Sequence, residues 1–173
     1  MIKHSLIDKK NESKNISEIK CLDEINSEMI YKSICIKINI IERDPIELNE
    51  RKFLNYGHTL GHAIESYFLE TESEILHGEA IAIGLILETY ISYLKRDFDL
   101  KLTNEIKNHI NQFYDIIDFN QESIMKIIDF LKYDKKNNSE RPMFVLLNNS
   151  GEIKINQSVS NEDIKKAFNF YLN

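Results

Sequence analysis

The chain has 173 residues, 42% of them apolar and 29% charged, enough for one domain with a real core. A net charge of −6 argues against a broad nucleic-acid surface. No apolar run approaches the ~20 residues of a membrane span, no signal peptide is visible, and Cys21 and Cys35 make no disulfide framework, so a reduced cytoplasmic protein is expected.

Met1–Asp8 (MIKHSLID) has helical apolar spacing but no N-terminal cap, as if a helix were entered midway. Lys9–Asn15 reads as a polar loop. From Ile16 to about Glu42, apolar residues from Ile19 through Ile30, Ile34, Ile38 and Ile41 recur at threes and fours, which predicts one long helix or two joined ones. Asp44-Pro45 ends that run, because proline disfavours helical geometry at the residue before it. A further helix is predicted from Arg51 to about Leu69, then a connection over Glu70–Leu76. His77-Gly78-Glu79 opens an apolar helix reaching about Leu94, whose small residues Ala80, Ala82 and Gly84 let two backbones approach closely. Helices at about Thr103–Tyr114 and Gln121–Leu131 follow, the second capped by Asn120. The period then changes: Pro142–Leu147 is β-rich, Asn148–Gly151 is a turn signal and Glu152–Ile155 alternates, which predicts a β-hairpin. Ser160 with Asp163 caps a last helix to about Tyr171. The expected fold is one mainly α domain over 1–173 with a single small C-terminal hairpin.

One stretch carries the chemistry. On a helix at roughly 100° per residue, Arg51, Asn55, His58, His62 and Glu65 fall within about 40° of one line, with no apolar residue on it. His58 and His62 form an H-x-x-x-H pair, suited to two metal ligands on one face. Thr59 stands where the zinc-protease motif needs Glu, so that motif is excluded. The plainer alternative is two partly buried histidines bonded to neighbours. His77 is a third imidazole, and helices packed through Gly57, Gly61, Ala80 and Gly84 would bring it beside His58. Spacing alone does not name a third metal ligand. Arg51 can fork onto a carboxylate or phosphate. Lys37, inside ICIKINII, either snorkels to water or faces a site. Asp44 and Glu47 read as a solvated turn, and Asp134-Lys135-Lys136 as a surface charge cluster.

Together these pieces resemble 3-dehydroquinate synthase. LNYGHTLGHAIE followed by LHGEAIAIG looks like that family's metal-site signature. The order Lys37, Asp44, Glu47, Arg51, Asn55, His58, His62, His77, with MIKHSLID before it and Asp134–Lys136 after it, is also the family's. The resemblance covers the whole chain but only the C-terminal, helical half of the enzyme, a fold shared with iron-containing alcohol dehydrogenases. It implies conversion of 3-deoxy-D-arabino-heptulosonate 7-phosphate to 3-dehydroquinate and phosphate, in the shikimate pathway. His58 and His77 are implied as ligands of Zn2+ or Co2+. His62 is implied as a proton-transfer residue or phosphate contact, and Glu47 as an acid–base residue. Lys37 joins them, with Lys3, Arg51, Asn55 and Lys135 or Lys136 as contacts for substrate phosphate and carboxylate.

The departures matter too. The family's third ligand, a Glu, falls one place before Met1. No Gly-rich dinucleotide fingerprint is present, so NAD belongs to an N-terminal domain supplied in cis or in trans. The chain alone is therefore expected to bind zinc weakly and to have no synthase activity, and the family suggests a homodimer. Rival readings are another sugar-phosphate cyclase (valiolone or inosose synthase type), a metal-dependent alcohol dehydrogenase, and a non-catalytic partner subunit.

Overall fold

The apolar run after His77 becomes the central helix of the structure, a computed structural model that describes residues 2–8, 24–133 and 142–173. In chain order the helices are α1 (Ile2–Ile7), α2 (Ser27–Arg43), a 3-10 helix (Glu50–Asn55), α3 (His58–Leu69), α4 (His77–Arg96), α5 (Leu100–Ile110) and α6 (Gln121–Tyr133). The antiparallel strands β1 (Met143–Leu147) and β2 (Ile153–Ser158) and the helix α7 (Asn161–Leu172) complete it. The mainly α class with one hairpin is as expected. Lys9–Asn15, the start of the predicted long helix, and the Asp134–Lys136 cluster lie outside the described residues.

α4 packs against α3, α5, α7 and β1. Its apolar residues therefore point in all directions, and Ala80, Leu85, Ile86, Leu87 and Ile91 are all buried. Each fully buried Leu or Ile contributes about 1.5–3 kcal/mol of transfer free energy. Ser92 ties β1 to this helix: its hydroxyl donates to Glu88 O at 2.8 Å and accepts Leu147 N–H at 3.1 Å.

α3 lies against α4 at backbone contact. A Cβ at Gly84 would land on Gly57 O and stand 2.7 Å from Gly61 N. One at Gly61 would meet Ile81 Cδ1 at 2.6 Å and Ala80 O at 3.2 Å. The close approach expected at Gly57, Gly61, Ala80 and Gly84 is present.

Local signals set most ends. Asn26 caps α2 by accepting Met29 N–H at 3.0 Å, Asn120 accepts Ser123 N–H at 2.8 Å before α6, and the Ser160 hydroxyl accepts Asp163 N–H at 3.1 Å before α7. α5 starts earlier than the pattern suggests, because Asp99 accepts Leu102 N–H at 2.9 Å and acts as its cap.

One expected element is corrected. The single helix from Arg51 to Leu69 is broken. Residues 50–55 are 3-10, Tyr56 and Gly57 form a turn, and Gly57 adopts φ 79, a left-handed conformation that ends one segment before His58 starts the next. Burial drives the break, since Tyr56 is driven fully inside, where its hydroxyl bonds Thr89 Oγ1 at 2.6 Å. The periodic apolar residues of α2 are only partly covered, with Ile40 buried in the core. Ile30, Ile34 and Ile38 are 48%, 49% and 46% exposed. This helix packs against the short α1 and the 3-10 helix.

Candidate metal centre and substrate cavity

The break at Gly57 makes His58 the first residue of α3, and His77 is the first residue of α4. The glycine seam sets these two helix starts side by side. A buried carboxylate reinforces the placement. Glu88 on α4 accepts Gly57 N–H at 2.9 Å and Leu60 N–H at 3.1 Å, taking the part of an N-cap that α3 lacks in its own sequence. Burial pushes the Glu88 carboxyl up to about 8, against the lowering pull of the α3 N–H groups and of Lys3.

His62 lies one turn after His58, and the three imidazoles converge. Ring centroids are 5.3 Å apart for His58–His62, 5.7 Å for His62–His77 and 6.1 Å for His58–His77. One nitrogen from each lies within 4.8 Å of the others, the one such metal-capable group among the described residues. Nitrogen ligands sit about 2.0–2.1 Å from zinc, and imidazole nitrogens this close together are candidates to share one ion. Two rings are already oriented. His58 Nδ1 faces Tyr56 O at 3.3 Å, and His77 Nδ1 faces the Glu65 carboxylate at 3.1 and 3.2 Å. Burial, then the nearby Lys3 charge, pulls His58 down to about 4. The ring is therefore neutral near pH 7, the form a metal requires. The donor set fits a borderline cation such as Zn2+ or Co2+.

Beside the histidines lies an open cavity of about 790 Å³. Lys3, Lys37, Arg51 and Asn55 line it, together with Glu47, His58 and His77. Lys3 Nζ donates to Leu54 O at 2.8 Å and stands 3.4 Å from His58 Nε2. Burial, then the Lys37 charge, lowers the Lys3 amine to about 8. Lys37 is exposed and stands at the lining of the same cavity.

The turn after α2 is built, not solvated. Asp44 is buried and accepts three N–H groups: Leu48 at 3.0 Å, Asn49 at 2.7 Å and Arg51 at 3.0 Å. Burial alone would raise its carboxyl, but these donors and the Arg51 charge outweigh burial and hold it below its ordinary range. The turn forces Glu47 to φ 58, uncommon for a residue with a Cβ. Glu47 then accepts Asn55 Nδ2 at 2.9 Å and stands 3.7 Å from Arg51 Nε. Arg51 and Asn55 reach the cavity through this turn and not along the helix that carries His58.

His62 belongs to the imidazole cluster, while Lys135 and Lys136 lie outside the described residues. Sequence reading missed three groups and one contact. His4 lines the cavity, bonds Ser33 Oγ at 2.6 Å and is lowered to about 4 by burial and neighbouring cationic charge. His109, lowered by burial, also lines the cavity, edge-on to Phe113. Glu88 carried a signal, a lone acid inside IAIGLILETY. The partner of Glu65 is twelve residues away and had none.

Residues 1–137 match the family model described as 3-dehydroquinate synthase C-terminal. The chain is 34% identical over 178 aligned positions to a 3-dehydroquinate synthase of Parabacteroides distasonis, covering 99% of this chain and 49% of that protein. It is 38% identical over 140 positions to one from Picrophilus torridus, covering 80% of this chain and 40% of that protein. It thus spans half or less of these relatives' length. Among solved structures, it superposes on a 2-deoxy-scyllo-inosose synthase complexed with carbaglucose-6-phosphate, NAD+ and Co2+. The TM-score there is 0.71 at 22% identity, over 96% of this chain and 48% of that one. It also superposes on a 2-epi-5-epi-valiolone synthase from Streptomyces hygroscopicus with NAD+ and Zn2+ bound, with TM-score 0.64 at 14% identity, over 84% and 39%. At these identities the two structures establish a shared fold.

Proposed function

This chain belongs to the 3-dehydroquinate synthase C-terminal family, and from that premise we propose that it is the metal- and substrate-binding half of a 3-dehydroquinate synthase. The substrate is 3-deoxy-D-arabino-heptulosonate 7-phosphate. The observation that carries the reading is the convergence of His58, His62 and His77 beside a cavity with three cationic side chains, Lys3, Lys37 and Arg51.

His58 and His77 hold Zn2+ or Co2+, with a carboxylate outside this chain as the third ligand. When bound, the ion supplies Lewis acidity to the hydroxyl being oxidised. Lys3, Lys37 and Arg51 clamp the substrate's phosphate and carboxylate, charges that leave water only for a fixed cationic site. The Glu47–Asn55 bond aims the Glu47 carboxylate at the cavity, where it accepts and returns protons. His62 serves proton transfer or binds phosphate from the histidine side. NAD comes from a separate N-terminal domain, and the complete protein acts as a homodimer.

A coupled assay with substrate, NAD and Zn2+ tests this. The 173-residue chain alone gives no turnover, and supplying the NAD domain in cis or in trans gives turnover that His58→Ala and His77→Ala abolish. Robust turnover by the isolated chain refutes the half-site reading. The second reading, another sugar-phosphate cyclase, has the shared fold of the inosose and valiolone synthases in its favour. A substrate panel on the complete protein separates the two.

A further inference from the structure

We propose that Glu65 is a positioning residue of the metal centre: its carboxylate holds the His77 ring so that Nε2, not Nδ1, is presented to the ion. The proposal rests on the metal reading above.

α3 carries His58, His62 and Glu65 at spacings of 4 and 3, so all three share one face. The connection after α3 folds back and starts α4 at His77, which sets the His77 ring over that face. Glu65 then straddles His77 Nδ1, with Oε2 at 3.1 Å and Oε1 at 3.2 Å. A carboxylate oxygen in this pairing accepts, so Nδ1 carries the hydrogen. The lone pair of the neutral ring is left on Nε2. Glu65 contributes no atom to the three-nitrogen group, so it acts through His77.

The two metal imidazoles differ in what restrains them. His58 is half-buried and anchored to the Tyr56 carbonyl at 3.3 Å. His77 is 57% exposed in its side chain, and a ring so open rotates freely unless something polar stops it. As a plain surface ion pair, Glu65–His77 would contribute little to stability and nothing to metal affinity. As a carboxylate behind a ligating histidine, it fixes tautomer and orientation and makes the nitrogen a better donor. Loss of such a partner typically weakens metal binding about 10- to 100-fold.

Co2+ titration followed by visible absorption separates these. Wild type, Glu65→Gln, Glu65→Ala and His77→Ala are compared, alongside 15N imidazole spectra and melting temperatures without metal. We expect Glu65→Ala to bind Co2+ about 10- to 100-fold more weakly at an unchanged metal-free melting temperature. We expect Glu65→Gln, which keeps one acceptor oxygen, to fall between. In the metal-free spectra, the neutral His77 ring should carry its proton on Nδ1 in wild type and move toward the Nε2–H form in Glu65→Ala. Equal Co2+ affinity in wild type and Glu65→Ala, while His77→Ala loses Co2+, overturns this proposal alone. With the N-terminal domain that carries the third ligand supplied in all samples, wild type that binds no Co2+, or His77→Ala that binds as tightly as wild type, overturns the metal reading and this proposal together.

Discussion

The site is built from two regions held together in opposite ways. The α3–α4 seam carries the histidines. There the backbones touch through Gly57, Gly61 and Gly84, and the one carboxylate inside, Glu88, is fully buried. The α1–α2 flank carries Lys3 and Lys37 and leaves much of its apolar surface open, with Tyr31 67% exposed. The difference teaches a division of labour. The proposed metal ligands need accurate placement, and close packing at the seam fixes the helix starts that carry His58 and His77. Cations facing a large anion act over a longer range and tolerate a looser mount.

The largest expected effect lies in the seam. Gly84→Val puts its side chain into Gly57 O and Gly61, both backbone that cannot yield, and should cost more than about 3 kcal/mol or abolish folding. A thermal melt indistinguishable from wild type would dissolve the contrast between the regions.

Next is Glu88. Glu88→Ala leaves the Gly57 and Leu60 N–H groups buried without acceptors, at about 1–3 kcal/mol each way of counting. The Gln variant reads the charge. The folded carboxyl is raised to about 8 and the unfolded one lies near about 4.3. The folded state thus holds the extra proton between those values, and Glu88 loses its stabilising contribution as pH rises through that window. Urea unfolding should therefore show Glu88→Gln gaining on wild type from pH 5 to 8, and a constant gap would contradict the buried acid.

On the flank, Asp44 has the opposite sign. Its folded carboxyl is depressed, so its contribution is present near neutral pH and lost as pH falls below about 4. Asp44→Ala should loosen the 45–51 turn, weakening phosphate binding more than it lowers the melting temperature. Phosphate titration and a melt on the same sample check that order. The smallest effect is expected at Ile34→Lys on the open face of α2, within about 0.5 kcal/mol. A multi-kcal/mol loss in urea unfolding would show that this face is less open than it looks.

Periodicity made the helices, the hairpin and the His58–His62 pair legible, because neighbours one turn apart on a helix are fixed by local geometry alone. The small residues of α4 likewise announced a close helix contact. Asp44 read as solvent-facing because hydropathy patterning does not show that the nearby N–H groups of Leu48, Asn49 and Arg51 converge on it. Arg51 and Asn55 reach the cavity for a reason periodicity did not contain. They sit on a 3-10 segment aimed by the Asp44 turn, while Gly57 breaks the helix that seemed to join them to His58.

By itself, then, the sequence determined the helical class, the order of the polar groups and the chemistry of the donor set. The small residues already pointed His77 toward His58, but only the tertiary structure decided that Glu65 backs His77 and that Glu88 caps α3 from another helix. Each of these is a contact across 12 to 31 residues of chain. Such contacts depend on how closely two helices approach, and glycines at a seam set that distance where no local pattern does.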